Sequence, residues 1–125
     1  NDNPVFYIQY AHARISKVLD QWGGDISKLT LDESFILNSK AELRLIKSIS
    51  IFPEIVLQAT NELAPHQIAN FLKECSAELH SYYNDSKFLV DDEKIKLGRL
   101  ALINSVKFVL KNGLYLLGIK APQQM

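Results

Sequence analysis

Two phenols and two cations recur on one side of a helical stretch near the start of the chain. In Asn3-Pro4-Val5-Phe6-Tyr7-Ile8-Gln9-Tyr10-Ala11-His12-Ala13-Arg14, continued to Trp22, the residues Tyr7, Tyr10, Arg14 and Lys17 follow at i, i+3, i+7 and i+10. A helix gathers such positions on one face. Val5, Ile8, Ile15, Leu19 and Trp22 fall roughly opposite. Rings stack on bases and cations meet phosphates, so the polar face is equipped to hold a single-stranded nucleic acid. Tyrosines at this spacing also straddle core boundaries, ring packed and hydroxyl wet. Both readings fit the pattern.

A second cationic row, Lys96, Arg99, Lys107 and Lys111, shares about a third of a late helix. It reads as a solvated face or as a phosphate track. If the first and last helices are neighbours, the two stripes flank one groove.

Signatures of catalysis are missing. His12, His66 and His80 are scattered, and none stands four residues from another, so no zinc helix is written here. Gly23-Gly24 follows a helical pattern, not a strand, so it is no phosphate loop. Cys75 lies in an apolar stripe and reads as core. His12 reads as a buried imidazole bonded to nearby backbone. Glu33, Glu42, Glu54 and Glu62 read as solvated surface, with no carboxylate pair placed for acid–base work. No catalytic residue, cofactor-binding residue or metal ligand is expected.

The totals narrow the class further. A length of 125 residues admits one domain with a real core. Fourteen basic and fourteen acidic side chains cancel, which argues against binding nucleic acid by bulk charge and leaves only local placement. No apolar run approaches the roughly 20 residues of a membrane helix, and no secretory signal is visible. A lone cysteine forms no internal disulfide and fits a reducing compartment. The first residue is Asn on the doorstep of a helix, so the chain reads as a piece of something longer.

The elements that must position these residues are helical nearly throughout. Asn3 and Pro4 open a first helix that stops at Gly23-Gly24. A loop over 25–38 is pinned by Leu29, Leu31, Phe35 and Leu37. A second helix starts near Ser39 and turns Leu43, Ile46 and Ile49 inward. Pro53 is expected to end it and start a third, with Phe52, Val56, Ala59 and Leu63 on one stripe. Pro65 opens a fourth, with Ile68, Leu72, Cys75, Leu79 and Tyr82 or Tyr83 inward, ending at Asn84-Asp85-Ser86. Asp91 or Asp92 caps the last. Its buried side is Leu100, Ile103, Val106 or Lys107, Leu110, Leu114 and Leu117, with a bend at Asn112-Gly113 and a stop at Gly118. The expected fold is an all-α bundle of about five helices, the first and last central.

The segment Asn3–Ile15, with its Tyr-x-Gln-Tyr-Ala-His-x-Arg run, resembles the start of the C-terminal anticodon-binding (DALR-type) domain of arginyl-tRNA synthetases. Gly98–Leu102, Val109–Leu114, Leu116–Ile119 and Ala121–Met125 are similar to that family's last helix and terminus. Phe52-Pro53-Glu54, Ala64-Pro65-His66 and Leu79–Asn84 resemble its internal markers. The likeness spans the whole chain in order, so residues 1–125 are expected to be one such domain. The Tyr-x-Gln-Tyr-Ala-His-x-Arg run and terminal Met argue against the related cysteine and methionine enzymes.

That resemblance implies a helical bundle of the class I synthetase type that recognises the anticodon stem and loop of the arginine tRNA. Tyr7, Tyr10, Tyr83 and Met125 match positions that face the loop. Unpaired bases there stack on rings and bond through their exposed edges. Met125 would add an apolar contact and a carboxylate acceptor. Arg14, Arg99 and Asn112 match family-typical positions that either touch RNA or brace the bundle. Gln124 stands where Arg is usual, which removes a cation from the loop-binding edge. Phe6 replaces a common Tyr. The family's preceding helix has no counterpart, so a groove is expected to be exposed or filled by another copy. No histidine is followed by Gly and Met125 is the only methionine, so the nucleotide-binding signatures of class I synthetases are absent. The implied fragment is non-catalytic and binds neither ATP nor arginine. Both would engage a catalytic domain elsewhere in the parent ligase, a cytoplasmic enzyme expected to be a monomer and free of membrane. The competing expectation is a structural helical domain that docks on a protein partner.

Overall fold

The computed structural model describes residues 3–32 and 34–125. Glu33, read above as a solvated carboxylate, lies outside the described residues, as do Asn1 and Asp2. The described residues form four α-helices: α1 (Pro4–Trp22), α2 (Lys40–Asn61), α3 (Pro65–Asp85) and α4 (Glu93–Leu116), with a short 3-10 turn at Ile26–Lys28.

The expected fifth helix disappears because α2 runs through Pro53. Proline removes one backbone donor and crowds the preceding turn, at about 3 kcal/mol or more. Burial on both sides outweighs that cost. Leu45 before the proline and Ala59 beyond it lie in the core, and Phe52 stacks on Phe71 of α3 with ring centroids 5.6 Å apart. Of the α2 residues expected inward, Ile46 and Ile49 pack against the core. Leu45 faces inward, whereas Leu43 is 54% exposed.

Local signals set the helix ends. The Asn3 side chain accepts from the Val5 N–H at 2.9 Å, ahead of Pro4 in the first turn. Ser39 and Glu42 form a reciprocal capping box, and Asp92 rather than Asp91 caps α4. Gly118, at φ +75°, follows the last turn of α4, where the Ile119 N–H returns to the Leu114 carbonyl. The same closure ends α2, but its left-handed position is filled by Leu63, at φ +51° and 89% exposed. Leu63 therefore does not join the inward stripe. It is turned out by the reversal it makes.

Helices α3 and α4 form the centre, each packing on the other and on both α1 and α2. The expectation of central first and last helices fails for α1, which with 19 residues is the shortest once α2 is undivided. Gly113 lets α4 approach α3: a Cβ there would stand 2.5 Å from the Leu72 side chain. The helix continues through Asn112-Gly113 without interruption. Leu29, Leu31 and Leu37 pin the loop after α1 to the core, and Phe35 lies over Gly98.

Glu42 is not solvated. It is 4% exposed and organises the interior polar site of the bundle. One carboxylate oxygen accepts the Asn38 and Ser39 N–H groups, and the other accepts the Tyr82 hydroxyl at 2.7 Å. Arg99 approaches that oxygen at 3.7 Å. Burial works to raise the Glu42 pKa, but the bonds from Ser39 and Tyr82 and the Arg99 charge outweigh it and hold the group below its ordinary value.

Candidate nucleic-acid interface

A cleft of about 440 Å³ opens between α1, the end of α3 and the segment after α4. Tyr10, Arg14 and Lys17 line it from α1, Tyr83 from α3, and Gln123, Gln124 and Met125 from the last segment. The volume falls within the roughly 300–1,000 Å³ of ordinary ligand sites.

Arg14 fixes the geometry. Its guanidinium carbon lies 4.6 Å from the Tyr10 ring centroid and 4.4 Å from that of Tyr83. A planar cation within reach of two rings is attracted by the negative face of each. Its Nη1 donates to His80 Nδ1 at 2.9 Å. That nitrogen must therefore be the acceptor, which leaves the proton on Nε2, directed at the Tyr7 carbonyl 3.4 Å away. Burial lowers the His80 pKa; the Tyr7 carbonyl opposes this and the Arg14 charge adds to it.

The aromatic surface extends beyond the cleft. Tyr7 abuts the His80 ring at 4.7 Å, and Tyr10 abuts the same ring at 5.6 Å. Phe6 stacks beside Tyr10 at 6.3 Å and is 40% exposed. Without a hydroxyl it offers a ring for stacking but no hydrogen bond.

The last segment reaches the cleft because α1 holds it. Gln9 Nε2 donates to the Lys120 carbonyl at 2.9 Å, and His12 Nδ1 donates to the Pro122 carbonyl at 3.0 Å. His12 is fully buried, as its apolar position suggested, and its partner is backbone. Met125 ends up 54% exposed on the cleft.

Of the residues singled out from sequence, Tyr10, Arg14, Tyr83 and Met125 converge. Tyr7 joins them through His80 but lines a neighbouring hollow with Asn3, Asn70 and Lys73. Arg99 is elsewhere: its Nη1 donates to the Lys87 carbonyl at 2.6 Å, and its other side faces Glu42. It braces α4 against the α3–α4 connection. The late cationic row is likewise divided. Lys96 pairs with Glu93 at 3.1 Å, whereas the charges of Lys107 and Lys111 act on His12 and help to lower its pKa. Helices α1 and α4 are neighbours, but the last segment occupies their seam on the His12 side. Sequence reasoning gave Gln9 and His80 no role of their own, and Phe6 only that of a ring able to stack without a hydroxyl. The signal for Gln9 was its three-residue spacing from His12 on one helix face.

Among the described residues no three His, Cys, Asp or Glu side chains converge on a metal position, and no helix is long and apolar enough to cross a membrane. Cys75 is buried, and burial first, then the Glu78 charge, pushes its thiol up to about 12.

The model of the DALR anticodon binding domain family matches residues 8–125. The chain is 51% identical over its full length to an arginine–tRNA ligase of Nitrosomonas eutropha, covering 21% of that protein. It is 50% identical over its full length to one of an Azoarcus species, again covering 21%. It thus spans about a fifth of the length of these relatives. Among solved structures, an arginyl-tRNA synthetase from Campylobacter jejuni superposes with a TM-score of 0.88 at 28% identity, over 98% of this chain and 27% of that one. The Thermus thermophilus arginyl-tRNA synthetase superposes with a TM-score of 0.81 at 33% identity, over 95% of this chain and 21% of that one.

Proposed function

The chain belongs to the DALR anticodon binding domain family, and from that premise we propose that it recognises the anticodon stem-loop of the arginine tRNA for an arginine–tRNA ligase. The observation that carries this reading is the cleft in which Tyr10, Arg14, Tyr83 and Met125 meet. Such a cleft suits an unpaired nucleotide. The phenol ring faces and hydroxyls offer stacking and hydrogen bonds, Met125 an adaptable apolar contact, and Lys17 a cation for phosphate. Arg14 is spent largely on ordering the two rings. Tyr7 and Phe6 extend the stacking surface outward.

In this reading the domain supplies recognition alone. ATP and arginine engage the catalytic part of a cytoplasmic, monomeric parent, which joins arginine to its tRNA. The family match does not favour the alternative of a structural domain docked on a protein partner.

A gel-shift titration with the arginine anticodon stem-loop across a salt series tests the proposal. Binding that weakens steeply with salt supports phosphate contact by the cleft. No detectable binding at low salt would return the docking alternative to the front.

A further inference from the structure

We infer that Gln9 and His12 are positioning residues that set the register of the last segment and so deliver Met125 to the cleft. The inference rests on the anticodon-recognition reading. Its basis is a pair of clamps on one helix face. Gln9 holds the carbonyl of Lys120, and His12, one turn further along α1, holds that of Pro122. The segment therefore advances along α1 in the direction that leads to Arg14 and Lys17, and its next three residues line the cleft with them.

The two clamps differ in kind. Gln9 is half-buried, and any side chain with a donor of similar reach can replace it. His12 is sealed, and only one tautomer serves, because a carbonyl can only accept and Nδ1 must carry the hydrogen. Its Nε2 has no hydrogen-bond partner among the described residues. A buried imidazole left with an unmade bond is retained at a cost. The bond it does make goes to the segment that carries Met125. Pro122 has no N–H to satisfy, so the segment can be held here through its carbonyls alone.

The inference predicts that both residues act on RNA only through the last segment. Gln9→Ala and His12→Asn would be compared with the unchanged chain, each also in a background lacking residues 123–125. Backbone NMR relaxation reads the order of 120–122, and fluorescence anisotropy reads affinity for the arginine anticodon stem-loop. In the full chain each variant is expected to loosen 120–122 and weaken binding about 3- to 10-fold, the scale of one lost hydrogen bond. In the shortened background neither should weaken binding further. His12→Asn, which keeps an N–H donor, should bind better than His12→Ala. Should His12→Ala fail to fold, surface-accessible Gln9→Ala carries the test with Gln9→Lys as its rescue. Unchanged order of 120–122, or the same fold-loss in both backgrounds, overturns the inference. If removing 123–125 alone leaves affinity intact, the role of the segment in RNA binding fails and the functional part of the inference falls with it. The relaxation data then report whether the clamps order the segment.

Discussion

The Arg14 guanidinium carbon sits 4.4 Å from the centroid of the Tyr83 ring, tying the middle of α1 to the end of α3. The same guanidinium carbon lies 4.6 Å from the Tyr10 ring centroid. Both phenols are therefore tethered to one cation. Rings ordered in advance leave less entropy to be lost on binding.

Replacing Arg14 by Lys should undo this arrangement although charge is kept. An ammonium is a point charge and cannot stack flat on a ring. Urea unfolding is expected to show a loss of about 1 kcal/mol. Stem-loop affinity should fall further than the charge alone explains, to nearly the level of Arg14→Ala. A Lys variant that binds like the parent would reduce Arg14 to a simple phosphate contact.

Glu42 predicts the largest loss of stability. Glu42→Ala strands the Tyr82 hydroxyl, Arg99 and two backbone N–H groups at once. The expected cost is about 3 kcal/mol, because the buried Tyr82 hydroxyl and the backbone N–H groups lose their acceptor. Glu42→Gln should cost less, since its amide oxygen still accepts. Thermal unfolding of the three chains gives the order. Arg99→Ala should follow the same pattern, lowering stability with little change in RNA affinity.

Much of this was written plainly in the sequence, and the misses have physical causes. Caps at Asn3 and Ser39 and the apolar stripes of α1, α3 and α4 are local signals, readable from spacing. Pro53 misled because its local penalty is overridden by burial of Leu45, Phe52 and Ala59, contacts that lie outside its own window. Glu42 misled for a related reason. Its capping-box role is local, but its burial depends on Tyr82 and Arg99, 40 and 57 positions away (82 − 42 and 99 − 42). In the cleft, the Tyr10–Arg14 spacing was legible. The clamping of the last segment by Gln9 and His12 was not, since carbonyls carry no sequence signature.

Mild acid should weaken the fold through its histidines. His12 and His80 both titrate below their ordinary 6.5 when folded, burial being the main cause. Between the folded and unfolded pKa values the unfolded chain binds more protons, so stability is full above 6.5 and declines as pH falls through the folded values. Melting temperatures from pH 7.5 to 5 should show this slope, and His80→Asn should flatten it. An unchanged slope would place the acid sensitivity elsewhere.

Leu63→Gly should stabilise the chain. Leu63 holds a left-handed backbone and is mostly solvent-exposed, so glycine relieves strain while giving up little burial. A gain of about 0.5–1 kcal/mol is expected in urea unfolding. A loss would mean that the exposed side chain contributes packing that outweighs the strain.

The most direct test compares two RNA hairpins with one stem, one bearing the arginine anticodon loop and one a scrambled loop, against the parent chain and Tyr83→Ala lacking Met125. The parent should prefer the arginine loop, and the altered chain should lose about 1–3 kcal/mol of affinity for it while still unfolding in one cooperative transition above the assay temperature. Equal binding of both loops by the parent, or folding and binding lost together, would contradict recognition by this cleft.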